Sequence, residues 1–263
     1  DVCSSDLSTI SAVSGHGEIS YGNAIGSVIC NAALIAAITV AVRPGKVDPK
    51  TLRVPVAFFF AAAAIYCVAA YGMGRFTRPM GLLMLGMFVA YMAANVWQMK
   101  NAPAEPEHEE EPMGIGKIVL LLVVGAALIA LGANLLVDNG TIIAQAMGVP
   151  ESVIALTFVA LGTSLPELVT AITSLMKGHS DLSLGNVVGA NVFNLVLVSG
   201  MSVTLAPFEI PQSATLFGIN SSLVLELPVM LLVMVLLTIP ALVRGKLSRV
   251  QGVALLCIYA AFC

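Results

Sequence analysis

The segment "AITSLMKGHSDLSLGNVVGANVFN", residues 171–194, repeats an earlier segment of the chain, "STISAVSGHGEISYGNAIGSVICN", residues 8–31. The two segments align without a gap at an offset of 163 residues (171 against 8), and eight positions are identical. In the first copy the identical residues are Ser11, Gly15, His16, Ser20, Gly22, Asn23, Gly26 and Asn31. Histidines, asparagines and glycines kept in register indicate an internal structural repeat.

The sequence around both copies has the composition of a membrane protein. Of the 263 residues, 58% are hydrophobic and 10% are charged, and the mean hydropathy is +0.96. Soluble domains carry about a quarter charged residues, so the chain is an integral membrane protein, and nothing favours nucleic-acid binding. Apolar runs of about 20 residues predict membrane-spanning helices rather than strands. The predicted spans are 20–42, 54–74, 79–99, 118–137, 152–176, 182–208 and 222–243, with a short helical segment at 7–14 and an incomplete span from residue 250.

The two copies of the repeat are predicted to cross the membrane in opposite directions. The first copy leads into span 20–42 and the second into span 182–208, and an odd number of spans lies between these two points. Such an inverted-topology repeat is typical of alternating-access transporters, which bind their substrate near the membrane midplane.

Lysine and arginine are concentrated on one side of the predicted membrane. Only Arg75 and Arg78 fall on the other side. The positive-inside rule therefore places the acidic linker 99–113, which contains "NAPAEPEHEEEPM", in the cytoplasm. Its proline and glutamate content predicts a solvated connector between two halves of the chain.

A proline interrupts the predicted span 152–176 within "GTSLPEL", residues 162–168. Pro166 lacks a backbone N–H and crowds the carbonyl of Gly162, so it predicts a helix break. We expect carbonyls near the break, from about Ala160 to Gly162, to turn into the helix bundle.

The same stretch places several oxygen-bearing side chains close together. Thr163, Ser164 and Glu167 lie within about one helical turn, so we expect their oxygens to converge. Carboxylate, hydroxyl and carbonyl oxygens suit a hard cation such as Na⁺ or Ca²⁺, and acids inside a membrane mark ion pathways. The alternative is a structural kink in which Glu167 only bonds a neighbouring helix.

Each copy of the repeat also carries the pattern G-N-x-x-G, followed by a second asparagine. The glycines are Gly22, Gly26, Gly185 and Gly189. Their small-xxx-small spacing predicts close helix packing. Asn31 and Asn194 lie deep in charge-free runs, where an unsatisfied amide is costly, so we expect them to offer oxygens to a ligand between the helices.

The pairing of "GTSLPEL" at 162–168 with "GNVVGANVFN" at 185–194 resembles the α-repeats of the calcium/cation antiporter superfamily, and is most similar to the bacterial sodium/calcium exchangers. The resemblance covers essentially the whole chain. It implies an all-α polytopic membrane protein of the bacterial inner (plasma) membrane, with inverted-topology repeats of five helices each, truncated at both ends. The implied units are the remnant of the N-terminal repeat at 1–98, the linker at 99–113 and the C-terminal repeat at 114–263.

The resemblance also implies a set of ion ligands. They are Thr163, Ser164, Glu167, the carbonyl of Ala160, Asn194 and the neighbouring position Ala190, together with Ser27 and Asn31 of the first copy. In the family, one glutamate from each repeat holds Ca²⁺. The position matching Glu167 is Ser4, in the segment "DVCSSDL", which we expect to be foreign to the gene, so the second acid is expected upstream.

The predicted function is secondary active antiport of Na⁺ against Ca²⁺, without enzymatic chemistry or a cofactor. The expected partners are the lipid bilayer and the two transported ions, and the oligomeric state stays open. A Ca²⁺/H⁺ exchanger of the same fold stays open too, because Glu167 could carry a proton. The inverted repeat disfavours a channel, and the placement of His16 and His179 at opposite membrane faces disfavours an intramembrane hydrolase. Glu226 is interpreted as a snorkelling or capping residue near one face.

Overall fold

A computed structural model describes residues 17–100, 115–148, 154, 157, 160–177, 180–212, 215–216 and 219–263. Among these residues, five helices are long and apolar enough to cross a membrane. They are Gly17–Val42, Pro49–Met73, Arg78–Gln98, Leu184–Leu205 and Ser222–Arg244. The prediction of an all-α polytopic membrane protein is confirmed. The segment 7–14, His16, His179 and residues 101–113 of the linker lie outside the described residues.

Helix α1 (Gly17–Val42) lies at the centre of the bundle. It is α-helical over Gly17–Cys30, widens into a π-helix over Asn31–Ala36, and returns to α-helix over Ala37–Val42. Its side chains are mostly small or apolar, with Glu18, Asn23 and Asn31 as polar exceptions, and nearly all are buried. A mostly apolar helix of this kind is expected to pack against neighbours on every side, as α1 does.

Helix α2 (Pro49–Met73) begins and ends with local signals that the sequence carries. The Asp48 carboxylate caps the first turn by accepting the Lys50 N–H at 2.9 Å, and Pro49 occupies the first turn, where its missing N–H costs nothing. Gly74 ends α2 in a left-handed conformation with φ of 66°. The helix starts ahead of the predicted boundary because the charged side chains of its first turn can reach the membrane surface.

Helix α3 (Arg78–Lys100) runs two residues into the predicted linker, as far as Lys100. Helix α4 (Ile115–Ala146) is longer than the predicted span 118–137. The span predicted at 152–176 is interrupted: its described parts include a short helix, Ala160–Thr163, and helix α5 (Leu165–Lys177).

Helix α6 covers residues 180–205 and repeats the construction of α1. It is α-helical over Ser180–Phe193, π-helical over Asn194–Val198 and α-helical over Ser199–Leu205. The π segments of α6 and α1 begin at Asn194 and Asn31, which are matching residues of the repeat. Insertions of this kind are frequent at functional sites because they turn carbonyls out of the regular ladder.

Helices α7 (Ser222–Arg244) and α8 (Arg249–Phe262) complete the described chain. A short hairpin precedes α7, in which β1 (Thr215–Leu216) pairs antiparallel with β2 (Ile219–Asn220). Ser248 and Gln251 form a reciprocal capping box at the start of α8.

On one face of the bundle, the loop between α1 and α2 pairs with the loop between α7 and α8. The Val47 N–H donates to the Gly245 carbonyl at 2.9 Å, and the Leu247 N–H donates to the Gly45 carbonyl at 3.0 Å. These are the loops that carry the basic residues, so the structure gathers those positive charges on one face.

On the opposite face, the loop between α2 and α3 pairs in the same way with the segment after α6. The Phe76 N–H donates to the Phe208 carbonyl at 2.8 Å, and the Ile210 N–H donates to the Gly74 carbonyl at 3.0 Å. Phe208 and Ile210 match Gly45 and Val47 at the repeat offset of 163 residues (208 against 45). The same contact therefore occurs on both faces with the two halves exchanged, as an inverted repeat requires.

Helix packing repeats this relation at two glycines. Gly81 of α3 lies against α6, where an added methyl group would be 2.7 Å from the Thr204 nitrogen and 3.1 Å from the Gly200 carbonyl. Gly252 of α8 lies against α1, where a methyl group would be 2.8 Å from both the Ala37 carbonyl oxygen and the Ala41 Cα. Ala37 and Ala41 match Gly200 and Thr204 in the repeat. Neither glycine was predicted from the sequence, because both lie outside the aligned segments 8–31 and 171–194.

Candidate cation-binding site

The helix that carries the candidate ligands breaks at Ser164. The chain is helical over Ala160–Thr163 and again from Leu165, and the interruption is one residue long. Helical bonds still span it, because the Ser164 N–H donates to the Ala160 carbonyl at 3.1 Å and the Ser164 carbonyl accepts the Leu168 N–H at 3.0 Å. Pro166 is the second residue of α5, where a missing N–H costs no intrahelical bond. Pro166 therefore helps to start a new helix, and the break that was predicted at Pro166 itself lies at Ser164.

Thr163 is the centre of a buried hydroxyl and amide cluster. Its hydroxyl donates to the Asn23 Oδ1 at 2.9 Å and lies 3.2 Å from both the Ser27 hydroxyl and the Ala160 carbonyl. The structure thus brings together three of the predicted positions, Thr163, Ser27 and Ala160. Asn23 was not among the predicted ligands, although its identity with Asn186 in the other copy of the repeat was a signal.

Asn31 is fully buried and only half satisfied. Its Nδ2 donates to the Asn191 Oδ1 at 3.0 Å, while its own Oδ1 has no hydrogen-bond partner in the described part of the chain. Asn191 is held in turn, because its Nδ2 contacts the Met234 sulfur at 3.2 Å. The repeat gave no signal for Asn191, since the matching residue is Val28.

Asn194 and Ser164 are also buried. Asn194 opens the π segment of α6, and its backbone carbonyl accepts the Ser199 hydroxyl at 2.9 Å. The Ser199 hydroxyl also bonds the Tyr66 hydroxyl. These contacts fix the backbone of α6 at the level of the site.

Glu167 lines a cavity of about 650 Å³ between α2, α3, α5 and α6. The wall facing it includes Thr51 and Pro55 of α2, Tyr91 and Asn95 of α3, and Gly185, Asn186, Gly189 and Ala190 of α6. The Glu167 Oε2 is buried, and no described residue donates a hydrogen bond to it. A buried carboxylate oxygen that lacks a donor is costly, and a bound cation would remove that cost.

Two of the glycines predicted to pack helices line this cavity instead. A methyl group on Gly185 would meet nothing within 4 Å, and one on Gly189 would meet the Tyr91 hydroxyl at 3.3 Å. The packing prediction is wrong for Gly185, whose lack of a side chain widens the cavity. Gly22 and Gly26 are buried in α1, and their packing role stays a prediction.

The atoms gathered around the helix break are carboxylate, hydroxyl, amide and carbonyl oxygens. Hard cations prefer such ligands, and an inverted repeat that meets at a broken helix is the architecture of secondary transporters. Fold and site together therefore define a membrane transporter for cations.

Comparison with known proteins places the chain within that class. The sequence profile of the sodium/calcium exchanger protein family matches residues 7–97 and 117–263, and the chain belongs to this family. It is a transporter and not an enzyme.

Three relatives show the extent of the similarity. CaxA of Alkalimonas amylolytica is 32% identical over 256 residues, which cover 94% of this chain and 77% of CaxA. The sodium/calcium exchanger MaX1 of Methanosarcina acetivorans is 34% identical over 149 residues, 57% of this chain and 40% of MaX1. The solved structure of the sodium-calcium exchanger NCX_Mj, soaked with Na⁺ and Sr²⁺, matches with a TM-score of 0.75 and 28% identity, covering 98% of this chain and 80% of that one.

Proposed function

We propose that the protein exchanges Na⁺ for Ca²⁺ across the membrane by alternating access at the site around Glu167. The observation that carries the proposal is a pair of buried acceptor oxygens, the Glu167 Oε2 and the Asn31 Oδ1, for which no described residue is a donor. Asn31 lies in the buried helix α1, and Glu167 lies in the first turn of α5 beside the cavity. The similarity to MaX1 and to NCX_Mj supports the choice of ions.

The proposed ligands divide into one anionic group and several neutral ones. Glu167 supplies the negative charge, and the amides of Asn31 and Asn194 supply neutral oxygens. The neutral oxygens near the break come from Thr163, Ser164, Ser27 and the carbonyl of Ala160. Na⁺ and Ca²⁺ have similar radii and both prefer oxygen, so they would compete for overlapping positions, which is the basis of exchange.

The proposed alternation of access rests on a difference in packing between helix α4 and the other helices. The paired loops on both faces tie α1, α2 and α3 to α6, α7 and α8. Helix α4 is peripheral, with large apolar side chains such as Leu120 and Leu128 more than half exposed. We expect α4 to slide over the fixed bundle, since it can move without breaking the loop contacts.

The test is Na⁺-gradient-driven ⁴⁵Ca²⁺ uptake into proteoliposomes that contain the full-length protein with Glu167→Gln. Glutamine keeps the shape of the side chain but removes the charge, which forfeits on the order of several kcal/mol of ion binding at low dielectric. We expect uptake to fall at least roughly a hundredfold while the Tm changes little. Glu209→Gln, which removes an exposed carboxylate from a loop, is the matched control. Near-normal uptake by Glu167→Gln would overturn the proposal.

The same vesicles distinguish Na⁺/Ca²⁺ exchange from the alternative, Ca²⁺/H⁺ exchange. An unpartnered Glu167 oxygen could also be satisfied by a proton, which is the observation that favours this alternative. The measurement is Ca²⁺ uptake driven by a pH gradient with Na⁺ omitted. Uptake under that condition would make H⁺ the coupling ion, whereas strict dependence on Na⁺ would support Na⁺/Ca²⁺ exchange.

We also propose that the protein lies in the bacterial inner membrane with the linker 99–113 in the cytoplasm. This orientation is supported by the basic residues, which gather on the face where the loop containing Val47 pairs with the loop containing Leu247. A cysteine introduced at Ala104 should react with an impermeant thiol reagent only after the cells are opened. Labelling of this cysteine in intact cells would show that the linker lies on the outer side of the membrane.

A further inference from the structure

A second buried carboxylate lies away from the site of Glu167. Glu226 is only 3% exposed, and its side chain makes no capping bond to α7, so its interpretation as a snorkelling or capping residue is wrong. Its Oε1 accepts the Ser221 hydroxyl at 2.8 Å, and its Oε2 accepts the Ser222 hydroxyl at 2.9 Å. Both donors are neutral, so these bonds orient the carboxylate without balancing its charge.

The surroundings of Glu226 add a further buried oxygen. Tyr21 of α1 is 1% exposed, and its hydroxyl lies beside Ser222 and Glu226 without making a hydrogen bond of normal geometry to any described residue. Glu18, one turn before Tyr21, is only half-buried, and its Oε1 accepts the Gln212 N–H at 3.4 Å, so it does not share the burial of Glu226. A buried carboxylate and an unsatisfied hydroxyl in one apolar region are costly unless a cation joins them.

The inverted repeat relates this cluster to the cavity at Glu167. Helix α7 matches α2 at an offset of 171 residues (245 against 74), as the two left-handed glycines Gly74 and Gly245 show. At this offset Ser222 matches Thr51 and Glu226 matches Pro55, and both Thr51 and Pro55 line the cavity at Glu167. Glu226 therefore lies on the face of α7 that corresponds to the cavity wall, at the opposite side of the membrane.

We propose that Glu226, Ser221, Ser222 and Tyr21 form a binding site for Na⁺, separate from the site at Glu167. One carboxylate balances one positive charge, and the hydroxyls offer the neutral oxygens that a hard cation prefers. The serines donate their protons to Glu226 and keep lone pairs for the ion. The Tyr21 hydroxyl can rotate to present a further lone pair. A divalent ion would leave an excess positive charge, so a monovalent ion fits better.

The test measures Na⁺ binding without transport. In the full-length protein in detergent, ²²Na⁺ binding and the Na⁺-dependent rise in Tm are recorded at constant ionic strength, with choline replacing Na⁺. All variants are made in a protein that already carries Glu167→Gln, so that the site at Glu167 contributes less to the measured Na⁺ binding. We expect Glu167→Gln to retain Na⁺ binding, and the added change Glu226→Gln to remove about one bound Na⁺ per protein together with the rise in Tm.

Two further variants control this result. Glu209→Gln removes an exposed acid on the same face and should leave Na⁺ binding unchanged. Tyr21→Phe removes only the unpartnered hydroxyl and should weaken Na⁺ binding several-fold, which keeps the proposal testable if Glu226→Gln does not fold. Unchanged ²²Na⁺ binding in the Glu226→Gln variant would overturn the proposed site. If Glu226→Gln does not fold, unchanged ²²Na⁺ binding in Tyr21→Phe would overturn it. That outcome is independent of ⁴⁵Ca²⁺ uptake by Glu167→Gln, so the two proposals can fail separately.

Discussion

The two copies of the repeat place matching asparagines in opposite surroundings. Asn23 of α1 accepts a hydrogen bond from Thr163 at 2.9 Å, whereas the matching Asn186 of α6 is exposed at the wall of the cavity. The repeat therefore fixes the depth of a polar group in the bundle, while the segment that packs against that group decides what it binds.

The scaffold, in contrast, is the same in both halves. The loop pairs and the close contacts at Gly81 and Gly252 recur with the halves exchanged. Variants made in matching pairs can therefore separate scaffold from site.

The largest effect is expected at the two packed glycines. Gly81→Ala and Gly252→Ala should each destabilise the protein by roughly 1–3 kcal/mol, because the added methyl group overlaps the backbone of the facing helix. Gly86→Ala in α3 is the matched control, since a methyl group there meets nothing within 4 Å. The measurement is the Tm in detergent. If only one of the two packed glycines is sensitive, the scaffold is not symmetric.

A smaller effect is expected for Asn194→Asp, which adds a charge to a site that has one described carboxylate. Ca²⁺ affinity should rise by about tenfold, or about 1.4 kcal/mol, because the added charge attracts a divalent ion. Asn31→Asp is the matching variant, and it should also lose the hydrogen bond from Nδ2 to Asn191. Competition of Ca²⁺ against ²²Na⁺ gives both affinities. Unchanged or lower Ca²⁺ affinity in a folded Asn194→Asp protein would show that Asn194 does not face the ion.

Much of the fold followed from the sequence because the length of an apolar run and the count of spans are local properties. The inverted repeat followed from residues such as Asn23 and Asn31, which keep their spacing in both copies. Asn191 and Glu226 could not be assigned in this way. Asn191 has no polar match in the other copy, and the burial of Glu226 follows from the packing of helices that are far apart in the sequence. The π segments were not predicted either, because they depend on packing between helices.

The smallest effect is expected at Thr163, and it tests the contact by which the two copies differ. Thr163→Val keeps the shape of the side chain but removes the 2.9 Å bond to the Asn23 Oδ1, which still accepts the longer, 3.4 Å bond from the Ser27 hydroxyl, and we expect this loss to cost about 1 kcal/mol. Thr173→Val is the matched control in α5, because the Thr173 hydroxyl is exposed and donates only to the Val169 carbonyl of its own helix at 2.7 Å. The Tm should fall for Thr163→Val and stay within the equivalent of about 0.5 kcal/mol for Thr173→Val. Ca²⁺ uptake should weaken in the first variant alone, since Thr163 is also a proposed ligand. Equal behaviour of the two variants would mean that the contact between Thr163 and Asn23 neither holds the short helix against α1 nor shapes the ion site.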